Sequence, residues 1–277
     1  MRIKFWGVRG STPAPQPENM RYGGNTSCVE VRVGDSLYIF DCGTGFRVLG
    51  QALRHELNGS PVSAHVFVSH FHWDHIQGIP FFGPLYDNRE NRFQFHCSSR
   101  TRSLKRVLEE QMAAPYFPVG LTEMQAHQSF YDLGEGHIQL GEVSLQTLWL
   151  NHPQGCMGFR LETKEGVIVY ATDNEPGDPL FDKNVRKLAA GADVLIYDAQ
   201  YLPEEYERKR GWGHSHWREA INVVTESGAK DLILFHHDPD HDDVLIDKVV
   251  KEARHYYPRL RAAAEGMQIE VSAKPAS

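Results

Sequence analysis

His70-Phe71-His72-Trp73-Asp74-His75 places three imidazoles and a carboxylate within six residues, directly after the apolar run Val66-Phe67-Val68-Ser69, which reads as a buried strand. Imidazole and carboxylate are the groups that borderline divalent cations take as ligands. In extended backbone, residues i and i+2 point the same way, so His70 and His72 can grip one cation together. A turn into helix after His72 would offset Asp74 and His75 and suit that pair to a second cation. With 15 His among 277 residues, independent placement would give His-x-His-x-Asp-His on the order of once in a few hundred such chains. The motif cannot close a site alone, so further ligands must come from elsewhere in the chain.

They recur at the ends of later apolar runs. Asn151-His152 follows a run ending at Leu150, Asp173 follows Val167 to Ala171, and His236 follows Leu232-Ile233-Leu234-Phe235. Each of these alone would be an ordinary solvated loop residue; their recurrence carries the signal. Strand ends on one edge of a sheet are where α/β proteins place their sites, because loops there vary without disturbing the core. The inventory suits two metals, with three His around one, two His and an Asp around the other, and one carboxylate shared.

A second polar run, His237 to Asp243, reads as a solvated loop capping a helix that starts at Val244. His236 is preferred to His237 as the first residue past the strand. Arg9, Ser11 and Asn25 are candidates to face the cleft from the N-terminal loops, and Trp73 and Trp212 could stack on a nucleobase. His65 lies inside a strand and reads as packed or solvated rather than ligating.

The elements that must position these groups follow from periodicity. Strands are expected at residues 2–9, 29–33, 37–40, 64–69, 93–97, 143–150, 157–162, 167–171, 194–197 and 232–235. Helices are expected at 46–57, 101–112, 180–190, 217–226 and 244–256, the first closing on Asn58-Gly59. Residues 11–22 form a Pro-rich loop, either a flap or part of a site, and 113–125 are irregular, either a cleft edge or a surface crossing. Both halves run strands first and then alternate strands with helices, which two related sheets with helices outside would explain. No linker marks the midpoint, so residues 1–277 read as a single domain.

Composition bounds the function. The net charge of −7 argues against an extended nucleic-acid surface, since that relies on clustered Lys and Arg. The N-terminus lacks a long apolar segment and no apolar run approaches the roughly 18 residues of a membrane span. Cys28, Cys42, Cys97 and Cys156 are scattered, as reduced thiols of a cytoplasmic protein would be.

These motifs, in this order, resemble the metallo-β-lactamase superfamily: the His70–His75 block matches its signature, and Asp41, His152, Asp173 and His236 match its other motifs across nearly the whole chain. The resemblance implies an α/β, four-layer αββα sandwich, two mixed β-sheets flanked by helices, with a binuclear site that is usually zinc. Carried over by position, His70, His72 and His152 hold one metal, Asp74, His75 and His236 the other, and Asp173 bridges. Asp41 then orients the ligand loop without binding metal. Manganese or iron would also suit such ligands.

Three details narrow the resemblance. Asp173 stands where antibiotic-hydrolysing members commonly carry Cys, and a hard bridging carboxylate favours hard phosphate oxygens. Gly213-His214-Ser215-His216 resembles the His-Ser-Thr motif of the ribonuclease Z and cyclic phosphodiesterase branch, with His216 where Thr would stand. Asp198 resembles that branch's acidic residue, which is Glu in ribonuclease Z. The expected activity is hydrolysis of a small or cyclic nucleotide-like phosphodiester through a metal-bridging hydroxide. His214, held by Asp198, would be the general acid.

About forty residues separate Asp173 from His214, little room for the long arm that ribonuclease Z inserts there. A tRNA 3′-processing endonuclease is therefore the second choice, and a carboxylic ester, thioester or lactone hydrolase the alternative from another reaction class. A small-molecule substrate and no membrane are expected, and a homodimer is compatible with the composition.

Overall fold

The computed structural model describes residues 1–97 and 102–272. Fourteen strands divide into two sheets among the described residues. The first has the order β14 (Gln268–Glu270), β1 (Arg2–Gly7), β2 (Cys28–Val33), β3 (Ser36–Phe40), β4 (Ser63–Val68), β5 (Arg92–Cys97) and β6 (His127–Asp132). The second has the order β13 (Leu260–Ala262), β12 (Asp231–Phe235), β11 (Val194–Asp198), β10 (Val167–Ala171), β9 (Cys156–Glu162), β8 (Val143–Leu150) and β7 (Gly136–Leu140). Each is mixed in the same way. Strands β3 to β6 and β10 to β13 run parallel, and their remaining neighbours pair antiparallel.

Alternation along the strands builds the layers. Ile3, Phe5, Val29, Val31, Phe40 and Phe67 from the first sheet meet Phe159, Leu161, Ile168, Tyr170, Ile196 and Phe235 from the second in one buried cluster. Phe159 sits at its middle, 5.6 Å from the Phe40 ring and 5.7 Å from Phe67. The opposite face of the first sheet is covered by helices Thr44–Leu57 and Leu104–Gln111. The opposite face of the second is covered by Pro179–Ala189, Trp217–Ser227 and Asp243–Ala253. The result is the four-layer αββα sandwich expected from the sequence.

Helix Thr44–Leu57 shows how local chemistry sets a boundary. Phe46, Leu49, Gly50 and Leu53 recur at helical spacing and are buried. Asn58 ends the helix in the left-handed region, its N–H still bonded to Arg54 O. The expected helix at 101–112 is shorter, Leu104–Gln111, because Ser103 caps it by accepting from Arg106 N. Its expected start at Thr101 lies outside the described residues.

Four strands were not anticipated: β6, β7, β13 and β14. β6 and β7 are outer strands: β6 is largely exposed and lacks the apolar alternation of a half-buried strand, whereas β7 carries it over only two apolar residues, Ile138 and Leu140, set between exposed His137 and Gln139. β13 and β14 are three residues each. Residues 113–125 border a groove beside helix Leu104–Gln111 and not the cleft at the His70 block.

The N-terminal loop is packed, with Arg9 as its anchor. The guanidinium is wholly buried and donates to the carbonyls of Gly23, Asp238 and His241. The run expected to be solvated, 237–243, is therefore mostly buried under this loop, while Asp242 does cap its helix by accepting from Leu245 N. Asn25 is turned to Glu265 and takes no part in the cleft.

Truncating Phe159 to Ala would leave a cavity between the two sheets. The expected loss of unfolding free energy is about 3 to 5 kcal/mol, read from denaturant titration. A loss under about 1 kcal/mol would contradict the inter-sheet placement of this ring.

Candidate metal centre

All the proposed ligands lie at carboxyl ends of strands on one edge of the sandwich. The His70 block follows β4, His152 follows β8, Asp173 follows β10 and His236 follows β12. β8 shares the direction of β10 because two antiparallel steps separate them. Asp41 and Asp198 occupy the corresponding ends of β3 and β11.

The ligand atoms fall into two sets around Asp173. In the first, the ligand nitrogens of His70, His72 and His152 lie within 4.8 Å of one another. His152 Nε2 is 3.0 Å from His72 Nδ1, and His70 Nε2 and His152 Nε2 are each 3.7 Å from Asp173 Oδ1. In the second, His75 Nε2 is 3.2 Å from Asp74 Oδ2, 3.3 Å from Asp173 Oδ2 and 3.2 Å from His236 Nε2. His236 Nε2 is 3.1 Å from Asp74 Oδ2 and 3.5 Å from Asp173 Oδ2. A tetrahedral ion with ligands at roughly 2.0 to 2.1 Å spans ligand–ligand edges of about 3.3 to 3.4 Å. The second set therefore has the dimensions of a cation cage.

The polar accounting points the same way. His70 Nε2 is buried without a hydrogen-bond partner, which is costly unless a cation takes its lone pair. The other nitrogen of each proposed ligand His faces an oxygen: Ser69 Oγ for His70 at 3.0 Å, Gln154 Oε1 for His72 at 3.2 Å and Asp41 Oδ2 for His75 at 2.7 Å. Gly213 O serves His152 at 2.8 Å and Gln200 Oε1 serves His236 at 2.9 Å. Such tethers choose which nitrogen carries the proton and leave the opposite one to a metal. The residues present thus fit a pair of divalent ions.

Asp41 holds the first sheet's ligand loop to the second sheet. It accepts from Ser69 N and Oγ at 2.7 and 2.9 Å and from the Tyr170 hydroxyl at 2.7 Å, besides facing His75. A third set, Asp173, Asp198, His214 and His236, also lies within ligand distance. Asp198, however, is saturated: it accepts from the backbone N–H of Asp173, Gln200 and Ser215 and pairs with His214 Nδ1 at 2.9 Å. It reads as the orienter of His214, whose ring borders the cleft with Asp173, His72 and Asp74.

Electrostatics divides the cluster. Burial would raise the Asp74 and Asp173 carboxyls, but the surrounding imidazoles outweigh it and hold both well below the usual carboxylate range. Burial would likewise lower His75 and His236, yet the neighbouring carboxylates win, lifting His75 well above its ordinary value and His236 to about 9. Burial prevails at His70, pushed well down, and at His152, lowered to about 4.

Ser11, a candidate from the sequence, donates its N–H to Asp74 Oδ2 at 2.8 Å, so the N-terminal loop belongs to the site. Several further contributors were invisible in the sequence. Gln200, Gln154 and Ser69 tether ligands as described. Gly10 lies against His236, and Gly213, at φ +88°, lies against His152 so closely that a Cβ would overlap Nδ1 of the ring. The Gly-rich surroundings of His214 were the available signal for Gly213. His237 is excluded from the cluster: its Nε2 bonds Ala263 O at 3.0 Å. His241 faces Glu205, and His65 stacks on Tyr38 and meets His96. Trp73 and Trp212 are exposed, and Trp73 lines the cleft.

Gly213→Ala is expected to displace His152, and Gly10→Ala to displace His236. Each variant should retain about one metal equivalent by elemental analysis where the parent holds two. Two full equivalents in both variants would contradict the assignment of these rings.

Comparison with known proteins agrees with the fold. The chain is 26% identical to ribonuclease Z of Haloarcula marismortui over 98% of this chain and 97% of that one. It superposes on the metallo-beta-lactamase fold protein YhfI from Bacillus subtilis with a TM-score of 0.73, at 20% identity, covering 97% and 98% of the two chains. It superposes on a diphosphatase from the PhnP family with a TM-score of 0.70, at 19% identity, covering 98% and 99%. The family described as the beta-lactamase superfamily domain matches residues 37–237. A fold that generally carries two metals, a His/Asp cluster at its strand ends and that match agree: the chain belongs to the β-lactamase superfamily and is a metal-dependent hydrolase.

Proposed function

We propose a binuclear phosphodiesterase acting on small or cyclic nucleotide-like phosphodiesters. His70, His72 and His152 would hold one ion, Asp74, His75 and His236 the other, and Asp173 would bridge them. The observation that carries this reading is the His214–Asp198 pair beside that cluster. Two ions here would supply water activated at neutral pH and neutralise charge on the phosphoryl oxygens. Zinc is the proposed pair, on the strength of the imidazole-rich ligand set.

The chain's own groups supply the rest. His214 Nδ1 is committed to Asp198, and the ring borders the cleft 3.8 Å from Asp173 Oδ1. Its Nε2 is then the atom that delivers a proton to the departing alkoxide, with Asp198 fixing tautomer and aim. His216 takes no proton-transfer role: its Nδ1 accepts from Glu219 N and caps the following helix. The exposed indoles of Trp73 and Trp212 offer stacking faces for a base.

A cleft of about 470 Å³ supports a small substrate. The residues between Asp173 and His214 are taken up by helix Pro179–Ala189, β11 and helix Pro203–Tyr206, with Val185, Leu188 and Tyr206 buried. The likeness to ribonuclease Z supports a second reading, cleavage of tRNA 3′ ends. We place the protein in the cytoplasm, a reading supported by four buried cysteines scattered without a Cys-x-x-Cys pair. Among the described residues no helix is long and apolar enough to cross a membrane.

The metal-loaded protein should hydrolyse bis(p-nitrophenyl) phosphate and at least one cyclic or linear nucleotide diester. Turnover of 3′-extended tRNA without small diesters would favour the second reading, and turnover of thioesters or lactones alone would overturn both. His214→Ala should keep both metals and slow alkoxide leaving groups by about 100-fold or more, with a much smaller effect on p-nitrophenolate. Equal slowing across leaving groups would remove His214 from the acid role.

A further inference from the structure

We infer that Glu175 is a positioning residue for His152 and for the loop that carries Trp212 and His214. The inference rests on the metal-centre reading above. Glu175 N donates to Asn151 O at 2.8 Å, and Asn151 Nδ2 returns a bond to Glu175 O at 2.9 Å. The Glu175 carboxylate accepts from Gly211 N at 2.7 and 2.9 Å through its two oxygens, and from Gly213 N at 2.7 Å through Oε2. Gly213 O in turn accepts from His152 Nδ1 at 2.8 Å. Because His152 follows Asn151 directly, these bonds close a ring.

The ring has a consequence for each member. Fixing Gly213 O fixes the proton on His152 Nδ1, which leaves Nε2 as the lone pair facing His72 Nδ1 and Asp173 Oδ1. Gly211 and Gly213 both stand at φ +88°, a backbone the carboxylate stabilises by taking both N–H groups. Trp212 is held between them with its side chain 63% exposed, and His214 is the next residue along. One carboxylate on the loop after β10 thus sets a ligand ring, a stacking face and the start of the acid's segment. Removing it breaks one edge of the ring and leaves the backbone bonds to Asn151 intact, so the fold should survive.

The test compares zinc affinity by chelator competition in the full chain and in Glu175→Ala, Glu175→Asp and Glu175→Gln, with thermal unfolding of the metal-free proteins alongside. Glu175→Ala should release one of two zinc equivalents at about tenfold lower chelator concentration, hold the other as the parent does, and unfold at the parent's temperature. Glu175→Asp, charged but too short to reach Gly213 N, should behave like Ala. Glu175→Gln, whose amide oxygen can replace Oε2 at Gly213 N but whose amide N–H2 would face Gly211 N, should fall between Glu175→Ala and the parent. Parent-like zinc retention by both Ala and Asp would overturn the inference. A parent protein that never binds two equivalents would sink the metal-centre reading and this inference with it.

Discussion

Four carboxylates, Asp41, Asp74, Asp173 and Asp198, are buried in one seam between the sheets, and the rest of the site answers that constraint. Ionised groups out of water require partners. Asp41 finds Ser69, His75 and Tyr170; Asp198 finds three backbone N–H groups and His214. Asp74 and Asp173 face mainly ligand imidazoles, and Asp173 stands between both sets. The division separates two roles: the saturated carboxylates orient, and the others are available to cations.

The same seam is where the backbone departs from its comfortable regions. Asp41, Asp173 and His236 adopt φ of 61°, 57° and 63°, each within two residues of a strand's end. Non-glycine residues hold such angles only where surrounding contacts over-determine them. Here the contacts are those of the site: Asp41 N bonds Phe67 O, Asp173 N bonds Asp198, and His236 is held by Gln200 and Asp74. The turn out of each strand brings the side chain back over the sheet edge. Ligands from β4, β8, β10 and β12 can then converge although their strands lie in different sheets.

Much of the site was legible because it is written at two scales. The His70–His75 block is contiguous, and His152, Asp173 and His236 each stand first or second after an apolar run, so local pattern exposed them. The tethers had no such pattern. Gln200, Gly213 and Glu175 act on residues far along the chain, through contacts that exist only once the strand-end loops of the second sheet come together. Likewise the 237–243 run looked solvated because its composition is polar; it is buried because Arg9, 229 residues from Asp238 in sequence, needs those carbonyls. The inner strands were legible from their continuous apolar residues, whereas the exposed outer strand β6 carries its identity only in backbone pairing, and the alternation of β7, Ile138 and Leu140, is too short to stand out.

The account depends on Asp173 standing between two cations. Anomalous scattering from crystals of the metal-loaded protein tests this directly. The expected map has two peaks about 3.5 to 4 Å apart, one beside His70, His72 and His152 and the other beside Asp74, His75 and His236, with Asp173 between them. A single peak, or a pair centred on Asp198 and His214 instead, would contradict it.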